Sequence, residues 1–142
     1  MNNRIIKPLT LFVCGGFSYI IIELIYRGYS HWSMFILGGI LFIEIGSLNE
    51  LFNWDMSLIF QGVIGSIIIT ISEFVAGVIL NLWLNLGVWD YSNMPFNIMG
   101  QVCLPFSLCW IIVSIAAIIL DDFLRYWLFK EEYPHYIIFK RR

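Results

Sequence analysis

The chain has 142 residues, of which 60% are hydrophobic and only 13% charged, and its formal net charge is -2. A water-soluble domain of this length carries a much more charged surface, so composition excludes an ordinary soluble globule and points to lipid as the main solvent. Several apolar runs of about 17 to 25 residues match the length needed to cross a hydrocarbon core of roughly 30 Å, so an all-α, polytopic membrane protein is expected, an antiparallel four-helix transmembrane bundle forming a single domain over 1–142.

The first span is expected over about 8–26. Pro8 suits a helix start, and the basic residues Arg4 and Lys7 precede the apolar run as in a signal peptide. The run carries Glu23 and lacks a small-residue cleavage site, so it reads as a retained span. Arg27, Gly28, Tyr29 and Ser30 make a short turn, and a second span over 31–48 returns as an antiparallel neighbour. Gly38 and Gly39 within it suggest close helix approach. After a connection from Asn49 to Asp55, a third span is expected over 56–80, with Gln61, Glu73 and a face of small residues at Gly62, Gly65 and Ser66.

The stretch from Asn81 to Gly100 is irregular, with Trp83 and Trp89 at interfacial depth and turn-forming Asp90, Ser92, Asn93 and Pro95. If this outer loop dips into the membrane, its backbone must be shielded by the helices. A fourth span is expected over 102–120. The remaining 121–142 then form a cytoplasmic interfacial tail with a short amphipathic segment and a basic end, able to meet anionic headgroups. The six tryptophans, Trp54 among them, mostly fall near expected interfaces. Cys14, Cys103 and Cys109 fit neither a disulfide framework nor a metal motif and read as small hydrophobes.

Basic residues set the expected topology in the cell membrane. Arg4, Lys7, Arg125, Lys130, Lys140, Arg141 and Arg142 lie on the side of the termini, against Arg27 alone on the other, so both termini are expected in the cytoplasm. Two polar layers follow. The outer one gathers Glu23, Arg27, His31, Glu73, Asn81, Asn85, Asp90, Asn97 and Gln101; the inner one holds Glu44 and Gln61. An ionised acid in hydrocarbon costs several kcal/mol, so these acids must pair, protonate or meet a ligand. Arg27 is expected to face Glu23, with Glu73 or Asp90 joining across the bundle.

Three stretches carry a family resemblance: E-x-x-x-R-G-x-S-H-W-S-M-F-x-x-G-G from Glu23 to Gly39, the glutamate in ISEFVAGVILN, and WDYSNMPFNIMGQVCLPFSLCW from Trp89 to Trp110. Together they resemble the ABC transporter type IV family of small integral membrane proteins, over about Leu9 to Asp121. The resemblance implies a transport permease. It marks Glu23, Arg27, Gly28, Ser30, His31, Glu73, Trp89, Asp90, Tyr91, Asn97, Gly100, Gln101 and Trp110 as characteristic.

The chain has no P-loop of the G-x-x-x-x-G-K-[ST] form, so an ABC role requires a separate ATPase and a further membrane subunit or a homo-oligomer. The first functional reading is a small transporter or permease component. In it Glu23, Arg27, His31, Glu73, Asp90, Asn97 and Gln101 bind a cation or polar solute, supported by Ser30, Glu44, Gln61, Trp89 and Tyr91. The second is a structural or accessory membrane subunit. The third is an enzyme acting on a lipid-linked substrate, with His31 or a carboxylate as base and Arg27 holding a phosphate. The residues name no cofactor or metal, although Glu23, His31, Glu73 and Asp90 could form a mixed carboxylate-histidine site. No nucleic-acid recognition fold is evident.

Overall fold

The computed structural model describes residues 3–48 and 56–137. The connection Asn49 to Asp55 with Trp54, and the basic end Lys140, Arg141 and Arg142, lie outside the described residues. Among the described residues four helices dominate: α1 (Asn3–Arg27), α2 (Trp32–Gly46), α3 (Leu58–Gly77) and α4 (Leu104–Phe129). A π-helical segment, Val78–Trp83, extends α3, and two short antiparallel strands, β1 (Asn97–Ile98) and β2 (Val102–Cys103), lie in the loop before α4.

Polarity is arranged inside out relative to a soluble protein. On α4, Ile112 is 73% exposed whereas Ser114, two positions on, is 0% exposed. Burying a hydroxyl and exposing an isoleucine is favourable only where the surroundings are lipid. Among the described residues three helices are long and apolar enough to span a membrane, beginning at Arg4, Leu58 and Leu104. The expected second span is the exception. Its helix has 15 residues, about 22 Å at 1.5 Å per residue, which is short of a typical hydrocarbon core.

Contacts between small and aromatic residues build the α1–α2 hairpin. Gly15 sits against Phe42 and the Gly38 backbone, Gly38 against Tyr19, and Gly39 against Phe12. The turn between them works because Gly28 adopts φ +77, a conformation strained for any residue with a Cβ. His31 then caps α2: its Nδ1 accepts from the Ser33 backbone N–H at 3.2 Å. In the second hairpin, the Gly62 backbone meets Ile111 and Ile115, and Gly65 meets Ser114. Ser66 Oγ donates to the Ser107 carbonyl, and the Thr70 and Ser107 hydroxyls lie 2.8 Å apart.

Two boundaries differ from the sequence expectation. Helix α1 starts at Asn3, so Pro8 lies inside it, where its missing N–H releases the Arg4 carbonyl from the ladder. Helix α4 continues past Leu120 to Phe129 because Asp121, Asp122 and Arg125 turn inward and find partners. The chain ends this helix at Lys130, in left-handed conformation with φ 55, and the described residues after it have no regular secondary structure. This strap returns to the start of α3, where Leu58 N–H donates to the Ile137 carbonyl at 2.6 Å.

A Gly15→Val substitution tests the hairpin. Its side chain would collide with Phe42 and with the backbone of Gly38, so thermal melts in detergent are expected to show destabilisation of about 1–3 kcal/mol. A melting temperature equal to the parent's would contradict the close approach.

Candidate functional site

The outer layer is centred on Glu73 of α3, which is 2% exposed. Tyr19 OH from α1 donates to its Oε1 at 2.9 Å, and Trp110 Nε1 from α4 donates to its Oε2 at 3.3 Å. The Tyr19 and Trp110 rings stack with centroids 6.0 Å apart. One carboxyl thereby joins three helices through two neutral donors. Among the described residues no cation touches it.

Arg27, at the end of α1, forms an ion pair with Glu23 one turn earlier. Its Nη1 donates to the Val88 carbonyl at 2.6 Å, which anchors the loop, and its guanidinium lies 4.7 Å from the centre of the Tyr29 ring. Glu23 and Arg27 remain within electrostatic range of Glu73. The expected pairing of Arg27 with Glu23 is therefore observed, and the expected direct partnership with Glu73 or Asp90 is not.

Asp90 serves its own turn. Its Oδ1 accepts from the Ser92 N–H at 2.8 Å, and this bond to the charged form holds the carboxyl below the usual aspartate range. The loop around it is ordered by a network built on the π-helical segment. Asn81 Oδ1 accepts from Val88 N–H at 2.7 Å, and its Nδ2 donates to Gln101 Oε1 at 2.8 Å. Gln101, 3% exposed, also donates through Nε2 to the Met99 carbonyl and accepts the Trp89 indole N–H on its backbone carbonyl. Asn97 Nδ2 donates to the Met94 carbonyl and Asn97 Oδ1 accepts from Gly100 N–H. Tyr91 stacks on Phe106 with centroids 4.8 Å apart, and burial raises its hydroxyl pKa well above the ordinary value. Buried Val88, Trp89, Gln101, Val102 and Cys103 form the shielded part of the loop, as an irregular backbone near hydrocarbon requires.

His31 bonds to Ser33 through the same Nδ1 that caps α2, and Ser30 sits half-buried beside it in the turn. Among the described residues Glu23, His31, Glu73 and Asp90 do not converge as a metal set. The two residues of the expected inner layer differ in burial. Glu44 is exposed on the outer face of α2, whereas Gln61 is 2% exposed and donates through Nε2 to the Met56 carbonyl at 3.1 Å.

The inner polar layer instead comes from residues assigned to the tail. Asp121 is 0% exposed and accepts from Arg125 Nε at 2.8 Å. Asp122 accepts from Tyr136 OH at 2.8 Å. Glu131 pairs with Lys7 of α1 and lies 3.8 Å from Arg125 Nη1. The signal for this cluster was present in the spacing of Asp121 and Arg125, four residues apart on one helical face.

A family model described as "Putative ABC-transporter type IV" matches residues 10–133. The chain belongs to this family. Comparison with curated proteins and with solved structures gave no significant match. The type IV match reaches all four helices and covers the outer polar layer, so it supports a multi-pass membrane protein of permease character.

The lowered pKa of Asp90 fixes the sign of a pH effect. Its contribution to loop order is complete above the unfolded aspartate range and is lost as pH falls through the lowered folded value. In an NMR titration in detergent, the Ser92 amide is expected to shift with a midpoint below about 3.9, the ordinary aspartate value. A midpoint at or above that value would show that the Asp90–Ser92 bond does not hold the turn.

Proposed function

We propose that the protein is the membrane-embedded component of a small transport system, contributing a carboxylate site centred on Glu73 for a cation or polar solute. The observation carrying this reading is a nearly fully buried carboxyl bound only by neutral donors, with an ion-paired glutamate and arginine close by. A structural acid in lipid is ordinarily matched by a cation in contact. Here the arginine is committed to Glu23 and the loop, so a proton or a transported cation completes the charge balance at Glu73. With the loop end facing outward, as the basic residues imply, the site lies on the outer half of the bundle.

Geometry favours a component over a whole pathway. The cavity bordered by Tyr19 and Trp110 has a volume of about 170 Å³ and apolar walls including Ile22, Leu41, Ile69 and Val113. An ion route to Glu73 would need polar lining that a further subunit or second copy provides, and the family suggests a separate ATPase as energy source. A structural or accessory role is the second reading. It is favoured by the internal pairing of Asn81, Trp89, Asn97 and Gln101, which brace the loop and leave little of their bonding capacity for a solute.

Glu73→Gln separates the two. Proton, Na⁺ and K⁺ flux would be measured in proteoliposomes of the complex isolated from native membranes, together with its melting temperature. The site reading expects flux to fall at least about tenfold, equivalent to about 1.4 kcal/mol, with the complex still folded. Unchanged flux in a folded complex would exclude Glu73 as the ion site, and a loss of flux only in proportion to lost folded protein would establish the structural role.

A further inference from the structure

The cavity of about 170 Å³ takes one aromatic wall from each of three helices: Tyr19 from α1, Phe42 from α2 and Trp110 from α4. None of the described residues that line it is charged, and the hydroxyl of Ser18 in its wall donates to the Cys14 carbonyl at 2.7 Å. Ile22 of α1 and Leu120 of α4 also belong to the lining, and both are exposed on the outside of the bundle. The cavity therefore opens toward lipid, between α1 and α4.

A carboxyl stands behind two of these apolar walls. Tyr19 OH and Trp110 Nε1 both donate to Glu73, at 2.9 Å and 3.3 Å, so the polar tip of each ring points at the same acid. These donors are neutral, and Arg27 is held by Glu23 and the Val88 carbonyl. A small inorganic ion would have to shed its water against walls that offer nothing in exchange, which is costly. An organic cation with an apolar body meets no such barrier. Its body suits the hydrocarbon lining, and aromatic faces attract its charge within about 6 Å of the ring centre, as in the aromatic cages that hold quaternary ammonium groups.

We propose that this cavity binds a small lipophilic quaternary ammonium ion that enters from the lipid side between α1 and α4. Its charge lies against Tyr19, Phe42 and Trp110, its body lies along Ile69 and Val113, and the Glu73 carboxylate is the counter-ion behind the rings. The inference names the substrate class of the Glu73 site and rests on the reading of Glu73 as a charge-bearing site. Size agrees with the chemistry: an apolar cavity of roughly 150 Å³ holds benzene, so a benzyl-sized body fits here.

A titration of the full chain, isotope-labelled at tryptophan in a neutral detergent and read at the Trp110 indole N–H by NMR, tests the site. Benzyltrimethylammonium is compared with neopentylbenzene, a neutral probe of the same shape in which carbon replaces the charged nitrogen, at equal mole fractions in the micelle. Both are expected to give a saturable shift, the cation at about tenfold lower mole fraction. In Glu73→Gln, with folding checked by its melting transition, the neutral probe is expected to saturate as before and the cation to come within about twofold of it. Equal half-saturation of the two probes in the parent, an undiminished cation preference in folded Glu73→Gln, or shifts of the same size at the exposed Trp83 and Trp127 indoles would each overturn the proposal. Loss of the neutral probe as well in folded Glu73→Gln would trace the effect to cavity shape and overturn it too. If Glu73→Gln does not fold, the parent's preference between the probes decides alone. Loss of inorganic-ion flux in Glu73→Gln, together with no cation preference in the parent, would overturn this inference and leave the Glu73 ion site standing.

Discussion

The bundle depends on how one carboxyl is satisfied away from water. Glu73 lies on α3, its donors Tyr19 and Trp110 lie on α1 and α4, and the two rings stack beside it. Lipid supplies little hydrophobic drive between helices, so directional bonds and close packing must define how the α1–α2 and α3–α4 hairpins meet. An aliphatic residue at position 73 would leave the indole N–H and the phenol without their shared acceptor. The same arrangement that fixes the packing also holds an acid without a contacting cation, so structure and candidate function rest on the same atoms.

The two ends of the bundle solve their polar problems differently. At the loop end, amide side chains do most of the work: Asn81 and Gln101 bridge the π-helical segment to the folded loop, and Arg27 ties α1 to Val88. The π segment matters because its wider turn places Asn81 against the loop just after Gly77, where only a glycine leaves room for Gln101 and Trp89. At the terminal end, charged residues do it. Lys7, Asp121, Arg125 and Glu131 form a linked set level with the end of the short α2, where Gly46 gives way to the Asp121 carboxyl.

The first hairpin was legible in the sequence because its determinants are local. A short turn with glycine forces an antiparallel return, and Gly38 and Gly39 mark the approach, which Gly15 completes from α1. The ion pair of Glu23 and Arg27 followed from spacing in the same way. The acids at 121 and 122 were misplaced because hydropathy ends a span at its first charges, whereas buried partners from α1 and the strap let α4 continue. Glu44 lies near the end of α2 as its position implied, but it is exposed, because depth along a helix says nothing about which face a residue occupies. Tyr19 carried no local signal, since its role appears only when α3 arrives 54 positions later in the chain.

The Tyr19–Glu73 bond is the most direct object of test. A double-mutant cycle of Tyr19→Phe and Glu73→Gln, read as unfolding free energy in lipid nanodiscs, isolates their coupling from each residue's separate effects. The account predicts a coupling of about 0.5–3 kcal/mol, with the second substitution costing much less once the first is made. Simple additivity of the two substitutions would contradict the claim that this carboxyl joins the two hairpins.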